Sequence, residues 1–215
     1  MQLDVRSVAE YLGVSDRRVR QLIDSGALPA QRLGGRYIIE EYRVPRSRPT
    51  TRPMSPRISW AFIDMLSGER PSGISNSERT RLKDKYERLL AMDDPADLLR
   101  SWLRKRDQLL FLQVNPRDVA AVREDPRLVP SGISDDRSCL SAGQEAEGYV
   151  HPRDVADLRA RYLMVDRLPT NVWLHVVERT IPRPAPLGLV LADLASHDSP
   201  REDQRVLELL RDSLG

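Results

Sequence analysis

The first 42 residues contain the pattern that most constrains this chain: two short amphipathic segments, a glycine between them, and a Gly-Gly pair further on. Asp4 can cap a helix, and the apolar residues after it recur at helical spacing until Gly13 interrupts them. Ser15 can cap a second helix, predicted from Asp16 to Ser25. Short alternating runs on both sides of Gly34-Gly35 are typical of a β-hairpin. The segment therefore predicts helix, turn, helix and hairpin in one small module.

The second predicted helix has an apolar inner face and an arginine-rich outer face. Its inner face carries Val19, Leu22 and Ile23. Arginine and glutamine side chains reach phosphates and purine edges when a helix lies in the major groove. The alternative for each arginine is an ordinary solvated helix face. The residues expected to contact DNA are Ser15, Asp16, Arg17, Arg18, Arg20 and Gln21 on this helix and Arg32, Gly34, Gly35, Arg36 and Tyr37 on the hairpin.

The residue motifs of this module are specific enough to be compared with known families. It contains the phrases Val8-Ala9-Glu10-Tyr11-Leu12-Gly13-Val14-Ser15, Val19 to Ile23, Gly26, Leu28-Pro29 and Leu33-Gly34-Gly35-Arg36. In these phrases, about a fifth of the chain, it resembles the winged helix-turn-helix of the excisionase and MerR-like family. The resemblance implies a recognition helix at about Asp16 to Ser25 in the major groove, and a Gly34-Gly35 wing that touches the DNA backbone or the minor groove.

Charge is divided unevenly along the chain. Residues 1–57 hold 11 arginines against six acidic residues, whereas the remainder has a small acidic excess. Basic charge is thus concentrated where DNA contact is predicted. There is no apolar run long enough to span a bilayer and no signal-peptide pattern, so we expect a cytoplasmic protein. The one cysteine, Cys139, excludes an internal disulfide and indicates neither a zinc site nor a redox pair.

Residues 43–57 are predicted to be a linker between a domain at 1–42 and a domain at 58–215. Four prolines, at positions 45, 49, 53 and 56, disfavour regular structure there. One interpretation is a basic arm that follows phosphates or enters a minor groove. The other is a proline-stiffened spacer with solubilising charge. The arm would contact DNA through Arg46, Arg48 and Arg52.

Beyond Ile58 the pattern is that of a mixed domain, so the predicted fold class is α+β, with a small winged helix-turn-helix followed by helices and short strands. An amphipathic helix is predicted at Ile58 to Leu66, a longer one from Ser77 and another from Pro95. Strands are predicted at Leu109 to Val114 and at Val172 to Val177. His175 within the second strand is expected to be exposed or hydrogen-bonded rather than a metal ligand.

Two phrases recur in this region. Pro71-Ser-Gly-Ile-Ser75 returns as Pro130-Ser-Gly-Ile-Ser134, and Val114-Asn-Pro-Arg-Asp-Val119 returns as Val150-His-Pro-Arg-Asp-Val155. The second pair predicts a strand, a tight turn and a helix that begins at proline. The spacing between phrases differs, so a regular repeat array is excluded. Shared turn chemistry without duplication explains the phrases nearly as well.

The sequence contains no catalytic motif that a turn or a solvated surface does not explain more simply. The chain lacks a glycine-rich phosphate loop, a His-Glu-x-x-His motif and a Gly-x-Ser-x-Gly elbow. Ser131 is expected to be a turn residue. We therefore expect no enzyme activity, no catalytic residue, no metal and no cofactor. The remaining candidates are scattered histidines and carboxylates expected to be solvated: His151, His175, His197, Asp154, Asp157, Asp193, Asp198, Glu202 and Asp203.

A second resemblance rests on short phrases in the last 90 residues. They are Leu128-Val-Pro-Ser-Gly-Ile-Ser134, Glu145-Ala-Glu-Gly-Tyr-Val150, Asp157-Leu-Arg-Ala-Arg-Tyr162, Asn171-Val-Trp-Leu-His-Val-Val177, Leu191-Ala-Asp-Leu194 and Asp198-Ser-Pro-Arg201. Here the chain resembles the C-terminal domain of AbiEi-type antitoxins, although its shorter N-terminal module departs from theirs. The resemblance implies repression of its own operon and a nucleotidyltransferase toxin of the AbiEii type as partner.

Together these features predict a repressor that binds double-stranded operator DNA as the antitoxin of a toxin-antitoxin pair. The second domain would pair protomers as a homodimer or bind the toxin, so that two heads act on neighbouring half-sites. The alternatives are an excisionase-like architectural protein and a plain transcriptional regulator without a toxin. An enzyme controlled by the DNA-binding module is a further alternative.

Overall fold

A computed structural model describes residues 2–24, 28, 30–40, 51–140, 143–167 and 169–213. We call residues 2–40 the head and residues 51–213 the body. The predicted DNA contacts Arg46 and Arg48, together with Ser25 and Gly26 at the end of the predicted recognition helix, lie outside the described residues. The head consists of β1 (Gln2–Leu3), α1 (Val5–Leu12), α2 (Asp16–Asp24), β2 (Gln31–Leu33) and β3 (Arg36–Glu40).

Local signals in the head have the predicted effects. The Asp4 carboxylate accepts a hydrogen bond of 2.7 Å from the backbone N–H of Ser7 and caps α1. Gly13 ends the helix in the left-handed region, with φ of 57°. Gly34 and Gly35 close the hairpin with φ of 55° and 82°. The sheet order is β1-β3-β2, all antiparallel. Strand β1, which was not predicted, covers the free edge of β3.

The head has its own small core. Val8 and Val19 place the two helices against each other, and Leu28 and Ile39 close the core from the loop and the sheet. Because all four side chains are almost completely buried, their removal from water stabilises the angle between α1 and α2. The outer face of α2 is thereby left to solvent.

The body is a mixed helix and strand structure, as the α+β fold class predicts. Corrections to the sequence boundaries are small. The fourth helix begins after its cap at Ser75 rather than at Ser77, and the first strand of the body stops at Leu112 rather than Val114. The helices are α3 (Pro56–Leu66), α4 (Asn76–Leu90), α5 (Pro95–Leu103), α6 (Val119–Glu124), α7 (Pro152–Arg161), α8 (Leu187–Ser196) and α9 (Pro200–Asp212), and the strands are β4 (Gln108–Leu112), β5 (Val129–Pro130), β6 (Ala146–Val150) and β7 (Val172–Val176).

One four-stranded sheet separates two apolar cores in the body. Its order is β4-β7-β6-β5, with β6 parallel to β7 and the other pairs antiparallel. Because side chains alternate along a strand, Val172 and Leu174 face the core beneath α6 and α7, whereas Trp173 faces the core beneath α3, α5, α8 and α9. His175 and Glu147 lie on the same face as Trp173, and this shared face brings them together.

The end of the predicted linker packs on the body. Met54 is buried, and its N–H donates to the carbonyl of Trp102 over 2.9 Å. The Thr51 hydroxyl lies 3.0 Å from the Ser101 hydroxyl. Helix α3 begins at Pro56, within the predicted linker. Prolines at its start are compatible with helix because the first helical N–H needs no partner.

The recurring phrases form recurring local structures. In the first pair, Gly73 and Gly132 both adopt positive φ, of 67° and 53°. In the second pair, Asn115 and His151 each accept a hydrogen bond from the backbone N–H two residues ahead, and a helical turn that begins at proline follows. The predicted order of strand, tight turn and proline-initiated helix is confirmed.

Candidate nucleic-acid interface and a buried charge network

Helix α2 presents its predicted DNA-contacting residues to solvent. Asp16, Arg17, Arg18, Arg20 and Gln21 are exposed on the side opposite the buried Val19. Ser15, also exposed, precedes the helix, and its hydroxyl accepts a hydrogen bond of 3.3 Å from the Arg18 N–H. The inner apolar face therefore orients the helix, and the outer face is left free for a partner.

The hairpin, which we call the wing, brings a second set of predicted contacts beside α2. Arg32, Gly34, Gly35 and Arg36 are exposed. Tyr37 is only half-buried: its hydroxyl lies 3.5 Å from Asp24 Oδ1, and the Arg32 guanidinium lies 5.9 Å from its ring centre. Tyr37 thus ties the wing to α2 and positions Arg32.

The arginines of this surface form no ion pairs within the described part of the chain. Among the described residues, no ion pair joins Arg17, Arg20, Arg32 or Arg36 to a carboxylate, and Arg18 contacts the neutral amide of Gln21 at 3.5 Å. Unpaired guanidinium groups on one helix and one adjacent hairpin suit a polyanion, because each phosphate contact releases condensed counterions. Of the predicted linker contacts, Arg52 is exposed.

The body contains a group of charged residues that is buried instead of exposed. Helix α8 is apolar except at its last residue, Ser196, and at Asp193, whose side chain is fully buried. Asp193 Oδ1 accepts hydrogen bonds from Arg106 Nη2 (2.5 Å) and the Tyr149 hydroxyl (2.9 Å), and Oδ2 accepts from the Ser131 hydroxyl (2.5 Å). The carboxylate is therefore satisfied on both oxygens, as a buried charge must be.

Hydrogen bonds extend this network across the sheet through two histidines. His175 Nδ1 lies 2.7 Å from Asp107 Oδ2, and Nε2 lies 3.0 Å from Glu147 Oε1. His197 Nε2 lies 2.9 Å from the other Glu147 oxygen. Three carboxylates thus meet one arginine and two imidazoles. We call this set the buried network; its members are Arg106, Asp107, Ser131, Glu147, Tyr149, His175, Asp193 and His197.

The pKa shifts favour the charged forms of His175 and Glu147, whereas the shift of Asp193 opposes its ionisation. Burial acts to lower the pKa of His175, but the charges of Asp193 and Asp107 outweigh it and raise that pKa to about 10. Burial acts to raise the pKa of Glu147, yet His197 and His175 hold it well below its usual range. Burial raises the pKa of Asp193. His175 is therefore protonated near neutral pH and donates from both ring nitrogens.

Asp107, His175 and Asp193 have the residue types of a metal site, with ligand atoms within 4.8 Å of one another. Their chemistry argues against that role. Arg106 donates to Asp193 and its Nε lies 3.3 Å from Asp107, so a guanidinium already occupies the space between the two carboxylates that a cation would need. Both ring nitrogens of His175 are already engaged, Nδ1 with Asp107 and Nε2 with Glu147. The arrangement fits a structural ion-pair network.

The network reaches the surface at a cleft of about 310 Å³. The Trp60 indole N–H donates to the Arg106 carbonyl, and the Arg179 guanidinium stacks on Trp60 at 4.2 Å from the ring centre. Asp107 is the network carboxylate nearest to water in this cleft, although its side chain is only 5% exposed. The lining residues are Trp60, Arg106, Asp107, Val176, Val177, Glu178 and Arg179.

Sequence reasoning missed the network. The expectation of solvated carboxylates is wrong for Asp193 and for Glu202, which is 4% exposed. Helices α8 and α9 turn these two positions toward the core. His175 was expected to be either exposed or hydrogen-bonded. It is hydrogen-bonded, and it is fully buried. A signal was present: a lone acid in the apolar run of α8 requires a buried partner.

Within the described ranges, no helix combines the length and the apolar character needed to cross a membrane. Residues 3–47 match the family model of a helix-turn-helix domain. That match covers about a fifth of the chain and supports a DNA-binding regulator. No match is found among curated proteins or among solved structures. The excisionase or MerR-like resemblance of the head and the AbiEi resemblance of the body stay predictions.

Proposed function

We propose that this chain is a transcriptional repressor that binds its own operator and acts as the antitoxin of a toxin-antitoxin pair. The observation that carries the DNA-binding part is the exposed arginine surface of α2 and the wing, which has no carboxylate partner among the described residues and lies within the segment that matches a helix-turn-helix domain. The α2 residues would supply contacts in the major groove, and Arg32 and Arg36 would clamp the adjacent backbone.

For the body we propose a binding role and not a catalytic one. Three network groups that could act as acid, base or nucleophile are buried and already hydrogen-bonded: Ser131 donates to Asp193, Asp193 also accepts from Arg106, and His175 contacts Asp107 and Glu147. Such a network supports a rigid surface for a partner. The proposed partners are a second copy of the chain, forming a homodimer, and a nucleotidyltransferase toxin of the AbiEii type, the latter resting on the resemblance of short phrases.

The DNA-binding part is tested with the full chain and a fluorescent duplex from upstream of its own coding region. We expect Arg18→Ala with Arg36→Ala to abolish specific binding at moderate salt while the melting temperature stays unchanged. Because the variant cannot neutralise two of the phosphates, the salt slope should also fall by about 2. The matched control is Arg81→Ala with Arg88→Ala, two exposed arginines of α4. Wild-type binding by the head variant would refute the assignment.

The antitoxin part is tested by co-expression with the product of the neighbouring gene, scoring growth and copurification together. Rescue of a toxic neighbour with formation of a stable complex would support partner binding by the body. Rescue without a complex would indicate indirect neutralisation. A harmless neighbour that never copurifies would contradict the antitoxin role and leave a DNA-binding regulator or an excisionase-like architectural protein, the latter recognised by a nearby integrase gene.

A further inference from the structure

The wing carries one large apolar side chain that the head does not bury. Leu33, the last residue of β2, is 66% exposed and pairs across the hairpin with Arg36. Alternation along β3 places Ile39 in the core, so Arg36 and its partner Leu33 lie on the opposite face of the sheet. Leu33 therefore adds nothing to the core of the head.

The position of Leu33 distinguishes it from an ordinary exposed leucine, which needs no explanation on a protein surface. It is the first side chain behind the tip formed by Gly34 and Gly35. No atom of the described residues lies within 4 Å of the place that a Cβ would take at either glycine, so the tip is narrow and carries no side chain. Only a narrow tip can enter the minor groove, which is about 6 Å wide.

The charges around Leu33 indicate which kind of partner would contact it. Arg36 faces it across the hairpin on the same face, whereas Arg32, which precedes it and pairs with Tyr37, lies on the other face, so the hairpin carries one guanidinium group on each face beside the apolar point. A second copy docked face to face through Leu33 would bring the arginines of both copies together, which is unfavourable. The minor groove offers phosphates on both walls and apolar base surfaces between them, which complements both features.

We infer that Leu33 is an apolar wedge that enters the minor groove, opens a base step and bends the DNA. The inference rests on the proposed DNA-binding function and deepens it by naming a residue and a distortion. Opening a base step costs free energy, which burial of Leu33 and the closer approach of Arg32 and Arg36 to phosphates offset. Because the cost depends on the step, Leu33 would contribute sequence preference without a hydrogen bond to a base.

The test uses the full chain and a duplex of about 150 base pairs from upstream of its own coding region. Bending is measured by circular permutation, and unstacking by the fluorescence of 2-aminopurine placed in turn at successive steps. The variants are Leu33→Ser, which removes the apolar group, and Leu33→Met, which keeps it. Leu163→Ser is the matched control, since Leu163 in the body is 81% exposed.

We expect Leu33→Ser to weaken binding roughly tenfold, to reduce the bend and to abolish the 2-aminopurine signal, with an unchanged melting temperature. Leu33→Met and Leu163→Ser should behave as wild type. Wild-type binding without bending or unstacking would overturn the wedge and leave the proposed function intact, and so would a Leu33→Ser variant that bends DNA normally. A dimer that Leu33→Ser converts to monomer, on DNA that stays straight, would assign Leu33 to self-association instead. A wild-type chain that binds no segment of this DNA would refute the proposed function and this inference together.

Discussion

The head and the body use charge in opposite ways. In the head, arginines of α2 and the wing lie in solvent without carboxylate partners among the described residues, and the core beneath them is small and apolar. In the body, Arg106, Asp193 and Glu147 are buried, and each has several partners. Exposed, unpaired charge costs little stability and can attract a polyanion. Buried, paired charge fixes one arrangement of the chain around it and becomes costly once a partner is removed.

The largest effect is expected from Asp193→Ala, which removes one of the two carboxylates that the buried Arg106 and His175 share. Removing one partner from a buried pair typically costs about 3–5 kcal/mol. Chemical denaturation followed by tryptophan fluorescence isolates the body, since Trp60, Trp102 and Trp173 all lie there. The control Asp84→Ala, on the exposed face of α4, should change the free energy of unfolding by less than about 0.5 kcal/mol. Equal effects of the two substitutions would remove the contrast between exposed and buried charge.

The second prediction compares a glycine of the head with a glycine of the body that has nearly the same φ. A Cβ on Gly132 (φ 53°) would lie 1.9 Å from Glu147 Oε2 and 2.9 Å from Asp193 Cβ, whereas a Cβ on Gly34 (φ 55°) meets nothing within 4 Å. Gly34→Ala should therefore cost the head only backbone strain, about 1 kcal/mol. Gly132→Ala adds the displacement of the buried network and should cost the body about 2–3 kcal/mol.

Far-UV circular dichroism reports on the helices of both head and body, and tryptophan fluorescence on the body alone, so the head is followed by the circular dichroism change that the fluorescence transition does not account for. A cost at Gly132 no larger than that at Gly34 would show that the segment from Ser131 to Ser134 moves away from Glu147 without penalty.

The stability of the body should depend on pH in a way set by the network. The pKa of His175 is raised to about 10 in the folded chain, against an ordinary value of 6.5, so its contribution is complete below about pH 6.5 and is lost as pH rises through 10. Burial acts to raise the pKa of Asp107, but Arg106 and His175 hold it below its ordinary value, as the two histidines do for Glu147. Contributions from these carboxylates are lost as pH falls below about 4.

Denaturation midpoints measured by tryptophan fluorescence should therefore be highest between about pH 5 and 7. We expect a loss on the order of 2 kcal/mol between pH 7 and pH 10. His175→Gln cannot titrate and should be less stable at neutral pH, with most of the alkaline slope gone. A wild-type body equally stable at pH 7 and pH 10 would be incompatible with a protonated His175.

Sequence reasoning succeeded in the head because its signals are local. Asp4, Gly13 and the Gly34-Gly35 pair each act on residues within one turn, and the structure has the predicted cap, stop and hairpin. Strand β1 escaped prediction because two residues are too few for a pattern. In the body, most helices and strands could be assigned from periodicity, with ends wrong by one or two residues.

The buried network could not be found in the same way because its contacts are not local. Asp193 is 87 residues from Arg106 and 62 from Ser131 along the chain, and only the order of the strands and the packing of α8 bring them together. The sequence did contain half of the information: Glu147, His175 and Asp193 each interrupt an apolar run. Which partners satisfy them depends on strand order, and strand order is a property of the whole body.

The smallest effect is expected at Asp203, whose carboxylate is neither fully exposed, like the charges of the head, nor fully buried, like those of the network. It is half-buried, and its carboxylate contacts Arg100 at 2.6 Å, a guanidinium that Asp97 and Asp198 also contact. Burial raises the pKa of Asp203 to about 6, with Arg100 opposing the shift and Asp198 adding to it. Because the raised pKa disfavours the charged form, ionisation of Asp203 destabilises the folded chain as pH rises from about 4 to 6.

Asp203→Asn keeps an oxygen for Arg100 and removes the repulsion. The variant should be more stable than wild type at pH 7.5, by less than about 1 kcal/mol because solvent screens a half-exposed group, and no more stable than wild type at pH 4.5. Melting curves at the two pH values measure the difference. A lower stability of the variant at pH 7.5 would mean that the ion pair with Arg100 fully offsets the cost of burying the Asp203 carboxylate. Asp203 would then resemble the buried Asp193 and not the solvated charges.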